Sequence, residues 1–87
     1  IGPADLSYAL GLPPKPGNTE PIHLETCNKI LESAHKYGIK AVMHCASADF
    51  AAGAVERGFD MVMLTSDLHS MIAGARAQLD TFKAKTS

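Results

Sequence analysis

Cysteine is scarce in this sequence. Cys27 and Cys45 are the two thiols, too few for a disulfide framework, and neither a CxxC pair nor Cys/His zinc spacing is present. Reduced thiols and a cytoplasmic location are the expectation. Charge of one sign is missing too: the net charge is −1 with Lys and Arg scattered, so the basic footprint that a phosphate backbone needs is absent and nucleic acid is excluded as a partner. No apolar run approaches the roughly 20 residues that cross a bilayer. Nor does a basic n-region with an apolar stretch and a small-residue cleavage site open the chain, so the sequence reads as soluble with no membrane partner. Fixed-period repeats and low-complexity tracts are also lacking. At 87 residues the ceiling is one small domain or a piece of one. The first residue is Ile1 rather than Met, and Ile1-Gly2-Pro3 reads as the last step of a strand entering a turn. Residues 1–87 are therefore expected to be part of one domain whose earlier strands lie upstream.

What is present is punctuation and periodicity. Pro13, Pro14 and Pro16, with Gly11 and Gly17 between and around them, mark Tyr8 to Glu20 as a loop, because Pro lacks the donor and torsional freedom of a helix or strand interior. Asn18 or Thr19 can cap the next helix, with Pro21 in its first turn. Ile22, Cys27, Ile30, Leu31 and Ala34 recur at helical spacing until Gly38 ends the run. Ile39 to Cys45 and Met61 to Leu64 are short apolar runs, each followed by an N-cap residue (Ser47; Thr65 and Ser66), and both read as buried strands. Between them Ala48, Ala51, Ala52 and Val55 form a small-residue helical stripe closed by Gly58. Leu68, Met71, Ile72, Ala75, Leu79 and Phe82 give the last and clearest stripe, with Arg76, Gln78, Asp80 and Lys83 opposite. The order is strand end, loop, helix, strand, helix, strand, helix, the alternation that builds a parallel sheet.

In α/β folds the strand-to-helix turns gather at the carboxyl ends of the strands, where substrates bind. Three such turns exist: Gly2-Pro3-Ala4-Asp5, His44-Cys45-Ala46-Ser47 and Thr65-Ser66-Asp67. Asp5 is the leading carboxylate; it either serves a hard cation such as Mg2+ or Mn2+, which prefers oxygen donors and keeps several waters, or merely caps the turn at Leu6-Ser7. His44 is either a proton carrier, a pocket wall or a solvent-facing residue. His23, His35 and His69 lie on helices away from the strand ends and are expected to be ordinary surface or partly packed residues. Ser66 and Asp67 suit an N-cap and a first-turn acid, and Met61 and Met63 suit the core. Cys45 has no paired base nearby in sequence, which argues against a nucleophilic role.

Ile1-Gly2-Pro3-Ala4-Asp5-Leu6-Ser7, followed by Leu10-Gly11, resembles the signature of the HpcH/HpaI aldolase and citrate lyase family, the class II pyruvate aldolases. The likeness continues through Lys40-Ala41-Val42-Met43, Ala54 to Val62 and the Ser66-Asp67 turn, and so covers essentially the whole chain. It implies a TIM (β/α)8 barrel, of which this chain would supply the C-terminal part: the end of strand 6, then β7-α7-β8-α8. By the same resemblance Asp5 would be one of two carboxylates on a divalent metal, Mg2+ or else Mn2+ or Co2+, the other being a Glu upstream. Gly2, Pro3, Ala4, Asp5 and His44 would bind substrate, with backbone amides around Ala4 and Asp5 holding the pyruvate carboxylate. The implied reaction is retro-aldol cleavage of a 4-hydroxy-2-oxo acid to pyruvate and an aldehyde through a metal-stabilised enolate. The catalytic Arg and His would lie upstream, leaving the chain inactive by itself. A homo-oligomer, commonly a hexamer, is implied through the C-terminal helix.

The position of His44 is often apolar in bacterial members, where it shapes the aldehyde pocket; a His there argues against the usual long-chain or sugar-acid substrates. Phe59-Asp60-Met61-Val62 and the proline-rich loop are also similar to fungal relatives of the macrophomate synthase type. Two further readings stand beside the aldolase. One is a lyase acting on acyl-CoA esters, which would show a basic CoA site; none is evident in the sequence. The other is a non-catalytic interaction module docking through Leu68 to Phe82.

Overall fold

The computed structural model describes residues 1–15 and 17–87; Pro16, counted above among the loop prolines, lies outside the described residues. Elements follow as α1 (Pro3–Ala9), α2 (Pro21–Lys36), β1 (Val42–His44), α3 (Ala48–Glu56), β2 (Met61–Met63) and α4 (Asp67–Thr86). β1 and β2 pair in parallel, with Val42 opposite Met61, Met43 opposite Val62 and His44 opposite Met63. Ile1 extends this arrangement on the far side of β1. Its nitrogen donates to Val42 O at 2.6 Å and its carbonyl accepts from His44 N at 3.0 Å. Two bonds straddling one residue, here Met43, are the parallel pattern, so Ile1, β1 and β2 lie side by side in chain order.

Helices cover one face of this sheet. Met43 and Cys45 are fully buried beneath them, together with Cys27, Leu31, Ala41, Ala51, Ala54 and Phe59. The alanines of α3 let its backbone settle close to both strands, as their small-residue stripe suggests, although the buried pair is Ala51 and Ala54 and Val55 turns outward. Gly58 follows with φ of 107°, a left-handed conformation that strains any side chain. On the other face Val42, His44 and Met61 are exposed. The expected core role of Met61 is thus not met: it is 62% exposed, because strand residues alternate faces and nothing among the described residues covers this one.

Several local expectations need correction. Pro3 does not sit in a turn but opens α1, where its missing N–H is harmless and its fixed φ suits the first helical position. Glu20, not Asn18 or Thr19, precedes α2 as its N-cap. The face that α2 buries is His23, Cys27 and Leu31, spaced by four, while Ile22 and Ile30 are 48% and 40% exposed. No residue of α4 is buried, and Leu68, Met71, Ile72, Leu79 and Phe82 all remain exposed along it. No helix among the described residues is long and apolar enough to cross a membrane.

At the amino-terminal end of the strands, Asp60 joins α2 to the sheet. Its Oδ2 accepts from Ala41 N at 2.8 Å and meets His35 Nε2 at 2.7 Å. The Ala41 N–H, and after it the His35 contact, hold the Asp60 carboxyl below its ordinary value of 3.8. Because the folded value is the lower one, the stabilisation is fully present above pH 3.8 and is lost as pH falls through the folded value. Asp60→Asn is therefore expected to lower the melting temperature at pH 7, with the gap to the parent closing in acid below that value; a gap constant with pH contradicts the assignment. In the core, Met43→Ala is expected to cost about 2–5 kcal/mol of unfolding free energy, read from urea denaturation, by leaving a cavity between the sheet and its helices.

Candidate functional site

The site begins with the way α1 is fastened. Ser7 Oγ donates to Pro3 O at 2.7 Å, and His23 Nε2 reaches the same carbonyl at 3.0 Å. A carbonyl only accepts, so His23 carries its proton on Nε2. Its Nδ1 then faces Cys27 Sγ at 3.7 Å as an acceptor. Asn18 completes the set, with Nδ2 donating to Ser7 Oγ at 2.9 Å and Oδ1 accepting from Glu20 N at 2.9 Å. Ser7, Asn18 and His23 are all fully buried, so each of these bonds stands in place of water and would be costly to leave unmade. His23 was expected at the surface or partly packed. The structure buries it because α1 presents a carbonyl to that face of α2.

This network fixes the direction in which α1 leaves the sheet edge. Gly2 is the N-cap, extended at φ −99° and ψ 107°, and Asp5 stands in the first turn. Its carboxylate folds back over Gly2: a Cβ on residue 2 would lie 2.8 Å from Asp5 Oδ2. Asp5 is thus not the cap of a Leu6-Ser7 turn. Gly2, Pro3, Ala4, Asp5 and His44 line one cleft of about 150 Å³. The backbone bond from His44 N to Ile1 O, 3.0 Å, brings the two sides together. The geometry makes these five residues neighbours.

A second cavity, of about 160 Å³, adjoins at the ends of both strands and is lined by His44, Cys45, Ala46, Met63, Thr65, Ser66 and His69. His44 therefore borders both spaces. Ser66 caps α4 by accepting from His69 N at 3.2 Å, and its Oγ lies 2.8 Å from His69 Nδ1. That contact turns the His69 ring back to the strand ends, contrary to the expectation that it lies away from them. The available signal was its position three residues after a serine N-cap. All three expected turns thus meet, the first with the second through His44 and the second with the third through this cavity.

Cys45 borders the second cavity but is fully buried, its Sγ donating to Met43 O at 3.5 Å. Burial pushes both the Cys27 and the Cys45 thiols above their ordinary value, with the Arg57 cation opposing the shift. Neither suits a nucleophile near neutral pH. Both thiols are expected to resist an aromatic disulfide reagent at pH 8 in the folded protein and to react promptly in denaturant; fast reaction in the folded state would show that the burial is not maintained in solution.

Parallel strands in chain order, helices over one face and clefts at the strand carboxyl ends make this an α/β unit compatible with part of a TIM barrel. In sequence the chain is aldolase-like: it is 34% identical over 76 residues to the hydroxypyruvate/pyruvate aldolase of Rhizorhabdus wittichii, an alignment that takes in 87% of this chain. The chain spans 30% of the length of that curated relative. No family model matches it.

Proposed function

We propose that this chain is the C-terminal part of a metal-dependent pyruvate aldolase of the HpcH/HpaI type, a lyase that cleaves 4-hydroxy-2-oxo acids to pyruvate and an aldehyde. The observation that supports the reading most directly is the cleft in which the Asp5 carboxylate, the Gly2-Pro3-Ala4 backbone and His44 face one small space, in a chain similar to an aldolase. Asp5 is a hard oxygen donor of the type Mg2+, Mn2+ or Co2+ accepts, and the bare Cα of Gly2 leaves its Oδ2 room to turn. Among the described residues no group of three or more His, Cys, Asp or Glu comes together. The donors here therefore fit one position of a shared coordination shell, completed from elsewhere in the protein. When bound, such a cation supplies Lewis acidity to the 2-oxo acid.

The residues of this chain bind and orient. Ala4 and Asp5 lie in the first turn of α1, where backbone N–H groups have no partner within the helix, and they offer donors to the pyruvate carboxylate. His44 bounds the space where the bond breaks. In that cleavage the C3–C4 bond gives its electron pair to C3 of the pyruvate half, and C4 becomes the aldehyde carbon as its hydroxyl proton leaves. The Arg and His that serve charge and proton transfer lie, in this reading, outside residues 1–87. The exposed stripe of α4, from Leu68 to Phe82, packs on another copy of the protein in the assembled oligomer.

The test is pyruvate release by the intact protein from a panel of 4-hydroxy-2-oxo acids after chelation, then with Mg2+, Mn2+ or Co2+ restored. Release is expected to require the metal. Asp5→Asn is expected to lower it by more than about a hundredfold, beyond the usual effect of an outer-shell partner, with the melting temperature little changed. Full activity in that variant removes the metal role.

A further inference from the structure

α1 meets the rest of the chain along one stripe. Pro3 and Ser7 are buried on it and Leu6, half-buried between them, packs against the core, while Asp5 and Tyr8 are exposed. The Asp5 carboxylate therefore takes its place from how this short helix is turned about its own axis. Apolar contact is non-directional, so Leu6 keeps α1 against the core without fixing that turn.

Three side-chain bonds involve α1 among the described residues. Ser7 Oγ to Pro3 O lies within the helix and cannot orient it against anything else. Asn18 Nδ2 to Ser7 Oγ comes from the loop. His23 Nε2 to Pro3 O, at 3.0 Å, comes from α2, whose Cys27 and Leu31 are embedded in the core. Of these groups, His23 is the one that ties α1 to a helix anchored in the core.

Packing alone does not call for a histidine there. His23 precedes Cys27 and Leu31 at a spacing of four on the buried face of α2, a position where an apolar side chain is buried without the cost of a polar one. The imidazole is instead fully buried, with Nε2 on Pro3 O and Nδ1 toward Cys27 Sγ at 3.7 Å. A rigid planar ring thus spans from α2 to the carbonyl two residues before Asp5.

We infer that His23 is a positioning residue for the Asp5 carboxylate: by holding the Pro3 carbonyl it fixes the turn of α1 and keeps Asp5 ready for a divalent cation. This rests on the reading of Asp5 as a metal ligand given above. Such preorganisation acts on affinity. When only a fraction of the molecules hold a ligand group in place, the apparent dissociation constant rises by the inverse of that fraction, while the loaded state is the same.

The test uses the intact protein and Mn2+, with the free ion read by electron paramagnetic resonance. The parent is expected to bind Mn2+ and Asp5→Asn to bind it more weakly; failure of either overturns the metal role of Asp5, and the positioning role with it. His23→Met, which fills the space without a donor, is expected to raise the Mn2+ dissociation constant about three- to tenfold, the worth of one hydrogen bond. His23→Gln places its amide nitrogen as many bonds from the backbone as Nε2 and is expected to restore most of the affinity, whereas His23→Asn, one carbon shorter, is not. This pair carries the test if His23→Met does not fold. Pyruvate release at saturating Mn2+ is expected to stay within about twofold of the parent in every folded variant, because binding energy then draws Asp5 into place. With Asp5 established as a ligand, three outcomes each overturn the positioning role and leave the aldolase reading standing. They are an unmoved Mn2+ dissociation constant in His23→Met, equal constants for His23→Asn and His23→Gln, and a loss of pyruvate release that added Mn2+ does not repair.

Discussion

The Pro3 carbonyl is the point on which the rest of the arrangement depends. It accepts from Ser7 within α1 and from His23 on α2, and Ser7 is in turn bonded by Asn18 from the loop. One buried acceptor thereby joins three segments: α1, α2 and the loop between them. The apolar core, drawn from α2, the strands and α3, holds α1 through Leu6, which packs against it. The polar network adds direction to that contact and sets where Asp5 stands relative to His44. A buried network of this kind rigidifies only when every member is satisfied, and here the proton positions are mutually determined. Pro3 O can only accept, so His23 donates at Nε2 and accepts at Nδ1. Cys27 supplies the thiol on that side, and burial keeps its proton in place.

The strands divide the molecule's tasks by face. Met43 and Cys45 look toward the helices and are sealed; Val42 and His44 look the other way and are open. Parallel sheets are ordinarily covered on both sides; among the described residues only one side is covered. Each carboxyl end then runs into a helix with a well-made start, Ser47 for α3 and Ser66 for α4. The same devices that begin the helices crowd polar side chains around the strand ends.

Much of the architecture was legible because it follows from spacing. Alternating apolar runs and helical stripes marked both strands and the three longer helices, and the serines at 47 and 66 marked helix starts. The five residues Gly2, Pro3, Ala4, Asp5 and His44 were named together from sequence, and the structure makes them neighbours. The misses share a cause. α1 escaped notice because seven residues give too few turns for a stripe, and its Pro reads equally as a turn. His23 and Asn18 were misjudged because their burial depends on a carbonyl from a distant segment, which no local pattern reports. The apolar residues of α4 show the converse case. A stripe announces that a face seeks cover without saying that the cover lies within the chain. His69 was missed since its ring is turned by a hydrogen bond to its own cap, a detail of conformation rather than composition.

The division of the strands between two faces also bears on how the sequence can drift. Met43, Cys45, Ala51 and Ala54 touch one another, so a change in volume at any of them calls for a compensating change a few residues away. Val42, His44 and Met61 face no such neighbour among the described residues and answer instead to whatever occupies the space before them. Within one strand of three residues, alternate positions are thus under different masters. The covered ones are constrained by the volumes of their neighbours inside this chain, and the open ones are free of that constraint.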